Sequence, residues 1–111
     1  RELVFRPTFQ KFKGESCGGV QLHVTDRSIF KPLLTTVAII QAVRELYPTK
    51  FQWKLPPYEY EYVKLPFDIL AGSSELRREL ETGVSLEDIR HRWHKEEEQF
   101  LKLRKPYLLY E

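Results

Sequence analysis

The sequence contains no methionine, no asparagine and only one cysteine, Cys17, among 111 residues. Without asparagine there is no acceptor for N-glycosylation in this stretch. One thiol can form neither an internal disulfide nor a four-thiolate zinc site, so cysteine usage assigns the chain to no redox compartment. Because it lacks methionine and begins at Arg1 in a segment with strand character, we expect it to be a piece of a longer protein.

Long apolar runs and a large excess of one charge are also missing. No run approaches the roughly 18 apolar residues of a membrane-spanning helix, and these residues contain no signal peptide. Lys and Arg number 18 against 16 Asp and Glu, a net charge of +2. Nucleic-acid-binding domains usually carry a strong basic excess, so this balance disfavours a nucleic-acid partner. The length predicts a single domain, residues 1–111.

The clearest strand signal runs from Val20 to Thr25. Apolar and hydrogen-bonding residues alternate there, and a period of two places the two sets on opposite faces of a strand. The hydrogen-bonding set, which we name the polar face, consists of Gln21, His23 and Thr25. Two glycines precede this strand and Asp26 follows it. The polar face is therefore the strongest candidate for ligand contact.

Turn and capping residues divide the rest of the chain. A strand near the start ends at Pro7 or lies at a sheet edge, because proline cannot donate to a ladder. Thr35 or Thr36 is expected to cap a helix. Alternation over residues 51–55 predicts another strand, and residues 58–62 form a short strand or an extended loop.

Three further helices are expected after residue 65. Pro66 suits the first turn of a short helix that ends at Gly72. A second helix ends at Gly83. Ser85 and Asp88 form a capping box that opens the last and longest helix. These elements predict an α+β fold with a small β-sheet, helices packed mainly on one face, and a long C-terminal helix.

The side chains with reactive groups each have a structural alternative. His23 is either an acid–base group or ligand donor, or a structural histidine bonded to Asp26 or to a backbone carbonyl. Cys17 lies in an accessible glycine-flanked loop, but the sequence fixes no base beside it, which favours a small buried residue.

Two histidines on the last helix have a spacing that can bind zinc. His91, His94 and Glu98 are three and four residues apart. They lie away from the apolar stripe of this helix, which indicates a solvated face. We therefore predict no metal site and no cofactor.

Aromatic residues and carboxylates alternate near the middle of the chain, a composition that suits sugar binding. The alternative for Trp53 is core packing and for the tyrosines a half-buried rim. Glu59 and Glu61 would share a face of a strand, which permits a glycosidase acid pair but also describes any exposed strand. The aromatic residues are Trp53, Tyr58, Tyr60 and Tyr62.

One string of residues resembles a known family. The string F-R-P-T-F-x-K-x-x-G-E-x-C-G-G-V-Q-L-H-V-T-D-R, residues 5–27, resembles the C-terminal part of the DUF1343 family, the NamZ-type exo-β-N-acetylmuramidases of bacteria. The resemblance covers essentially the whole chain and is most specific from Cys17 to Arg27. Further matches are Phe30-x-Pro32, Leu46-Tyr-Pro48, Phe51-x-Trp53, Pro57-Tyr-Glu-Tyr-Glu61, Leu65-Pro-Phe-Asp68, Gly72-Ser73, Trp93, Phe100 and Arg104-x-x-Tyr-Leu-Leu-Tyr110.

The resemblance implies an auxiliary C-terminal domain of a larger two-domain enzyme. A Rossmann-like domain would precede it, with the active site in a cleft near their junction and the catalytic carboxylate on the upstream domain. The reaction implied is removal of terminal N-acetylmuramic acid from peptidoglycan fragments, in a secreted, periplasmic or cell-envelope setting. The alternative is a non-catalytic carbohydrate- or protein-binding module. Candidate contacts to the sugar are Lys13, Gln21, His23, Thr25, Asp26 and Tyr58.

Overall fold

A computed structural model of the chain describes residues 2–110. The chain divides into two compact units, Arg1–Lys31 and Pro32–Glu111. The first contains a two-stranded antiparallel sheet and the second contains four α-helices, the last of them long. The predicted α+β class is thus confirmed. No helix formed by residues 2–110 has both the length and the apolar character needed to cross a membrane.

The first unit is a hairpin of β1, Glu2–Phe5, and β2, Cys17–Val20. Strand β1 ends before Pro7, as expected. The connecting loop is closed where the Gly14 N–H donates to the Pro7 carbonyl at 2.9 Å. The paired residues are Glu2 with Val20, Leu3 with Gly19, Val4 with Gly18, and Phe5 with Cys17.

The predicted strand from Val20 to Thr25 is wrong in its position. The observed strand ends at Val20, where the predicted one begins. Val20 lies opposite Glu2, the first described residue. Residues 21–25 pair with no other strand among residues 2–110. The predicted apolar face is not buried either, since Val20, Leu22 and Val24 are all exposed.

A close contact in the hairpin requires glycine at position 19. A Cβ atom built there would lie 2.8 Å from Cε1 of Phe5, which is closer than carbon atoms pack. Phe5 is the diagonal neighbour of Gly19, since Gly19 pairs with Leu3 two residues earlier. The Phe5 ring therefore covers the Gly19 backbone. At Gly18 a Cβ atom would meet nothing within 4 Å.

The second unit is built from helices around a small core. The helices are α1, Pro32–Leu46; α2, Pro66–Ala71; α3, Glu75–Thr82; and α4, Leu86–Arg104, which a short 3-10 helix, Lys105–Tyr107, follows. Four apolar side chains are buried between them, from α1, α3 and α4. These residues are Val37, Leu76, Leu80 and Ile89.

Helix α4 packs on this core through its first half only. Ile89 is fully buried and Trp93 is half-buried against the core. Every residue from His94 to Arg104 is exposed, including the apolar residues Phe100 and Leu101.

Most of the predicted helix ends are confirmed. The Ser85 hydroxyl oxygen accepts from the Asp88 N–H at 3.1 Å at the start of α4. Gly72 and Gly83 follow α2 and α3 with φ of 81° and 76°, a left-handed conformation that glycine adopts readily. Helix α1 begins at Pro32, earlier than predicted, because proline needs no donor in a first turn.

The predicted strand over residues 51–55 is also wrong. This segment has no strand partner among residues 2–110. Its aromatic side chains pack on helices instead, with the ring centroids of Trp53 and Phe67 4.5 Å apart. The Trp53 indole Nε1–H donates to Glu81 on α3 at 2.9 Å. The core-packing alternative for Trp53 therefore matches the structure.

Leu80→Ala should strongly destabilise the helical unit. Leu80 is 2% exposed in the core, whereas Leu70, also on a helix, is 73% exposed. Removing a buried leucine side chain typically lowers the free energy of unfolding by about 2–5 kcal/mol. For Leu70→Ala the expected change is within about 0.5 kcal/mol. Urea unfolding followed by circular dichroism measures both, and equal effects would contradict the assigned core.

Gly19→Ala should displace the Phe5 ring, and Gly18→Ala should not. Because Phe5 is half exposed and can rotate away, we expect a cost near the lower end of the overpacking range, about 1 kcal/mol. Nuclear Overhauser contacts between the Phe5 ring and residue 19 report the ring position directly. Contacts that are absent in the unmodified chain would show that the ring does not cover this glycine, and contacts that are unchanged in the Gly19→Ala variant would show that the added methyl group does not displace the ring.

Candidate functional site

The side chains predicted to contact sugar are divided between the two units. Tyr58 belongs to the helical unit. The others belong to the hairpin unit and are Lys13, Gln21, His23, Thr25 and Asp26.

Gln21 and His23 lie side by side, as their alternation predicts. Gln21 Oε1 is 3.1 Å from His23 Nε2. In the tautomer with hydrogen on Nε2, the ring donates to the amide oxygen and its Nδ1 remains an acceptor. Both side chains are exposed, as is Thr25. The polar face therefore presents an amide, an imidazole and a hydroxyl to solvent.

Asp26 organises the turn that follows the polar face. Its Oδ1 accepts from the Ser28 hydroxyl at 2.6 Å and from the Ser28 N–H at 2.8 Å. These two donors stabilise the carboxylate and lower the pKa of Asp26. The turn is an Asx turn, in which an aspartate side chain caps its own backbone two residues later. Asp26 thus bonds to Ser28, and the ring of His23 contacts Gln21.

Lys13 lies in the loop that joins the two strands. Three residues of this loop, Gln10, Phe12 and Gly14, have left-handed φ angles of 58°, 59° and 80°. The ammonium group is exposed and forms no ion pair with another described residue. It is therefore available to an acidic ligand.

Cys17 follows the same loop and is half-buried. Its thiol lies 3.8 Å from the Glu15 carbonyl oxygen, to which it donates weakly. A nucleophilic cysteine needs a group that favours its thiolate. A carbonyl oxygen does not, so the structural alternative is the better account of Cys17.

Tyr58 begins a tight turn in the helical unit. Its N–H and carbonyl exchange hydrogen bonds with Glu61, both at 3.0 Å. Its ring is half-buried and lies 5.5 Å from the Lys54 ammonium nitrogen. Tyr60 and Tyr62 are 91% and 70% exposed. The half-buried rim predicted for the tyrosines thus describes Tyr58 alone.

Glu61 is held by the same turn in a way that disfavours acid catalysis. Its Oε1 accepts from the N–H groups of Val63 at 2.7 Å and Lys64 at 3.2 Å. These hydrogen bonds lower the pKa of Glu61. A glycosidase acid must carry its proton near neutral pH and needs a raised pKa. Glu61 therefore fits a structural role in the turn.

The histidines of α4 pair with nearby glutamates on the same exposed surface. His91 Nδ1 lies 3.4 Å from Glu87, and His94 Nε2 lies 3.5 Å from Glu98. Among residues 2–110, no three His, Cys, Asp or Glu side chains are grouped closely enough to hold a metal ion.

A depression that the sequence did not predict lies in the helical unit. We name it the α2–α3 pocket; its volume is about 630 Å³. A bidentate ion pair is part of its wall, with Arg77 Nε 2.8 Å from Asp68 Oδ1 and Arg77 Nη2 3.0 Å from Asp68 Oδ2. The other charged and hydroxyl side chains that line it are Glu61, Lys64, Ser73, Ser74 and Arg78.

The local signals for this pocket were present in the sequence. Pro66, Gly72 and the serines after it predicted two short consecutive helices, which is the backbone of the pocket. The pairing of Asp68 with Arg77 joins residues nine apart across a turn. The spacing of residues within one helix cannot predict such a contact between two helices.

Comparisons with known proteins assign relatives to the whole chain. The family described as "Exo-beta-N-acetylmuramidase NamZ, C-terminal" matches residues 1–110. The chain is similar to the "Peptidoglycan beta-N-acetylmuramidase NamZ" of Bacillus subtilis (strain 168), with 39% identity over 110 residues. That match covers 99% of this chain and 25% of the relative, so the chain spans about a quarter of the relative's length. No solved structure gives a significant match.

The pKa of Asp26 should depend on the hydroxyl of Ser28. We expect Asp26 to titrate below the ordinary aspartate value of about 3.9, and Ser28→Ala to raise its pKa towards that value. A depressed pKa means that the carboxylate stabilises the turn above its unfolded-state pKa, and that this contribution is lost as pH falls through the folded-state pKa.

Carbon-detected NMR titration of the carboxyl groups tests this expectation. Glu61 is the internal control, because its own donors, Val63 and Lys64, are unchanged by the substitution. An Asp26 pKa at or above the ordinary value in the unmodified chain would be inconsistent with the Asx turn.

Proposed function

Because the chain belongs to the family of NamZ exo-β-N-acetylmuramidase C-terminal domains, we propose that it is the auxiliary C-terminal domain of a bacterial glycoside hydrolase. The enzyme would remove terminal N-acetylmuramic acid from peptidoglycan fragments. The observation that carries this proposal is the match of the family over residues 1–110. The named relative is a peptidoglycan β-N-acetylmuramidase about four times as long, which leaves room for an upstream catalytic domain.

Four carboxylates of the described residues are held by structural interactions, which supports an auxiliary role. Asp68 is paired with Arg77, and Glu79 is paired with Arg92 at 2.7 Å. The pKa values of Asp26 and Glu61 are lowered by hydrogen bonds, the opposite of what an acid catalyst requires. These interactions favour a catalytic carboxylate on the upstream domain.

The polar face is the part of this chain that we assign to sugar contact. Gln21, His23 and Thr25 combine donors and acceptors in groups that match the hydroxyl and amide groups of an N-acetylated sugar. Asp26 would hold the turn beside them, and Lys13 would attract the carboxylate of an acidic sugar. Tyr58 of the helical unit would be a further contact to the sugar.

His23→Ala should impair the longer enzyme, and His94→Ala should not. Both histidines are exposed, but only His23 belongs to the polar face. Loss of one ligand hydrogen bond of about 1–1.5 kcal/mol corresponds to roughly a tenfold fall in kcat/KM. The kcat/KM of each variant relative to the unmodified enzyme is measured by hydrolysis of a chromogenic N-acetylmuramic acid glycoside by the full-length protein.

The isolated 111-residue chain is tested in parallel in the same assay. We expect no hydrolysis from them and full activity when the upstream part is present. Turnover by the isolated chain would rule out an auxiliary role. Equal activity of the His23→Ala and His94→Ala enzymes would contradict the assignment of the polar face to sugar contact.

The exposed tyrosines favour a second candidate, a non-catalytic binding module. Tyr60 and Tyr62 present aromatic rings that can stack on a sugar. Saturable binding of muropeptides to the isolated chain, together with no hydrolysis by the longer protein, would select this candidate over the muramidase.

A further inference from the structure

The α2–α3 pocket has a size and a charge distribution that suit a small ligand. Its volume of about 630 Å³ lies within the range of roughly 300–1,000 Å³ that small-molecule sites occupy. It is formed within the helical unit by the Glu61–Lys64 segment, by α2 and by the first turns of α3. It contains none of the residues of the polar face.

Three of the charged groups that line the pocket already have partners. The Arg77 guanidinium holds both oxygens of Asp68 and also bonds to Glu81 at 3.1 Å. Because Asp68 and Arg77 are 14% and 18% exposed, this pair is a fixed part of the wall. Glu61 accepts from two backbone N–H groups.

Two cations at the pocket form no salt bridge with another described residue, although the charge of Lys64 also helps to lower the pKa of Glu61. The side chains of Lys64 and Arg78 are exposed and form no ion pair with any residue in 2–110. An arginine fork and a lysine ammonium are the side chains that bind carboxylate and phosphate oxygens most strongly. These two charges are therefore available to an anion from solution.

The start of α3 adds neutral donors on the same side. Ser73 and Ser74 precede α3 and line the pocket. The Ser73 hydroxyl oxygen accepts from the Glu75 N–H at 3.2 Å and keeps its own hydrogen to donate, whereas the Ser74 side chain forms no capping hydrogen bond. The helix N-terminus carries a partial positive charge. The one acidic residue of this first turn, Glu75, lies 3.4 Å from Arg92 of α4, which offsets its charge.

We propose that the α2–α3 pocket binds the anionic oxygen group, carboxylate or phosphate, of a small hydroxylated ligand. Lys64 and Arg78 bind the anion, the serine hydroxyls bind neighbouring polar groups, and the Asp68–Arg77 pair fixes the wall. This site shares no residue with the polar face and goes beyond the proposed glycosidase role, because it concerns binding by the 111-residue chain itself.

Three sugars that differ in charge test the proposal. The complete chain is titrated with D-glucuronate, glucose 6-phosphate and glucose at constant ionic strength, and the Ser73, Ser74 and Glu75 amide signals are followed by NMR. We expect saturable shifts with one or both anions and none with glucose. The anion that binds tighter identifies a carboxylate or a phosphate as the preferred group. If neither anion saturates, or if glucose binds as tightly, the proposal fails.

Matched charge variants distinguish anion binding at the α2–α3 pocket from non-specific electrostatic attraction of anions to the chain. Lys64→Gln combined with Arg78→Gln should weaken anion binding by about tenfold or more, the loss expected for charged hydrogen bonds. Lys95→Gln combined with Arg104→Gln on α4 removes the same charge from exposed positions away from the pocket and should leave affinity within about twofold, because surface charges act weakly at a distance. Equal weakening in both pairs would overturn the assignment.

Discussion

The burial of four apolar side chains between α1, α3 and α4 is the constraint on which the helical unit depends. Helix α3 is at the centre of it, because Leu76 and Leu80 supply half of the buried set. Polar contacts extend from the same helix, since Arg44 of α1 donates to the Leu80 carbonyl and Arg92 of α4 binds Glu79. Arg77 and Arg78 of the same helix line the α2–α3 pocket. One short helix therefore sets both the packing and the wall of the α2–α3 pocket.

The sequence predicted those parts of the fold that local chemistry determines. The Ser85–Asp88 cap and the glycines after α2 and α3 were correct, because capping depends on residues within one turn. The strands over residues 20–25 and 51–55 were wrong, because alternation predicts side-chain direction but a strand also needs a partner. Residues 21–25 have no partner strand among residues 2–110, and at Trp53 helices cover the apolar side.

The same distinction applies to the candidate sites. The contact of Gln21 with His23 follows from residues two apart in an extended chain, and the sequence predicted their common side. The α2–α3 pocket depends on the pairing of Asp68 with Arg77 across a turn. The two cations that we propose to bind an anion there are distinguished by forming no salt bridge within residues 2–110. Whether a cation lacks a salt bridge can be known only when the positions of the other charged side chains are known.

The two halves of the long C-terminal helix are stabilised by different interactions. At a rise of about 1.5 Å per residue, the 19 residues of α4 span roughly 28 Å. Only the first half contacts the core, and the half from His94 onward is held by its own backbone hydrogen bonds. Local opening should therefore be graded along one helix, with rapid fraying at the far end while Ile89 remains closed until the whole unit unfolds. Helix α4 thus combines one end that is anchored in the core with another that can open independently of it.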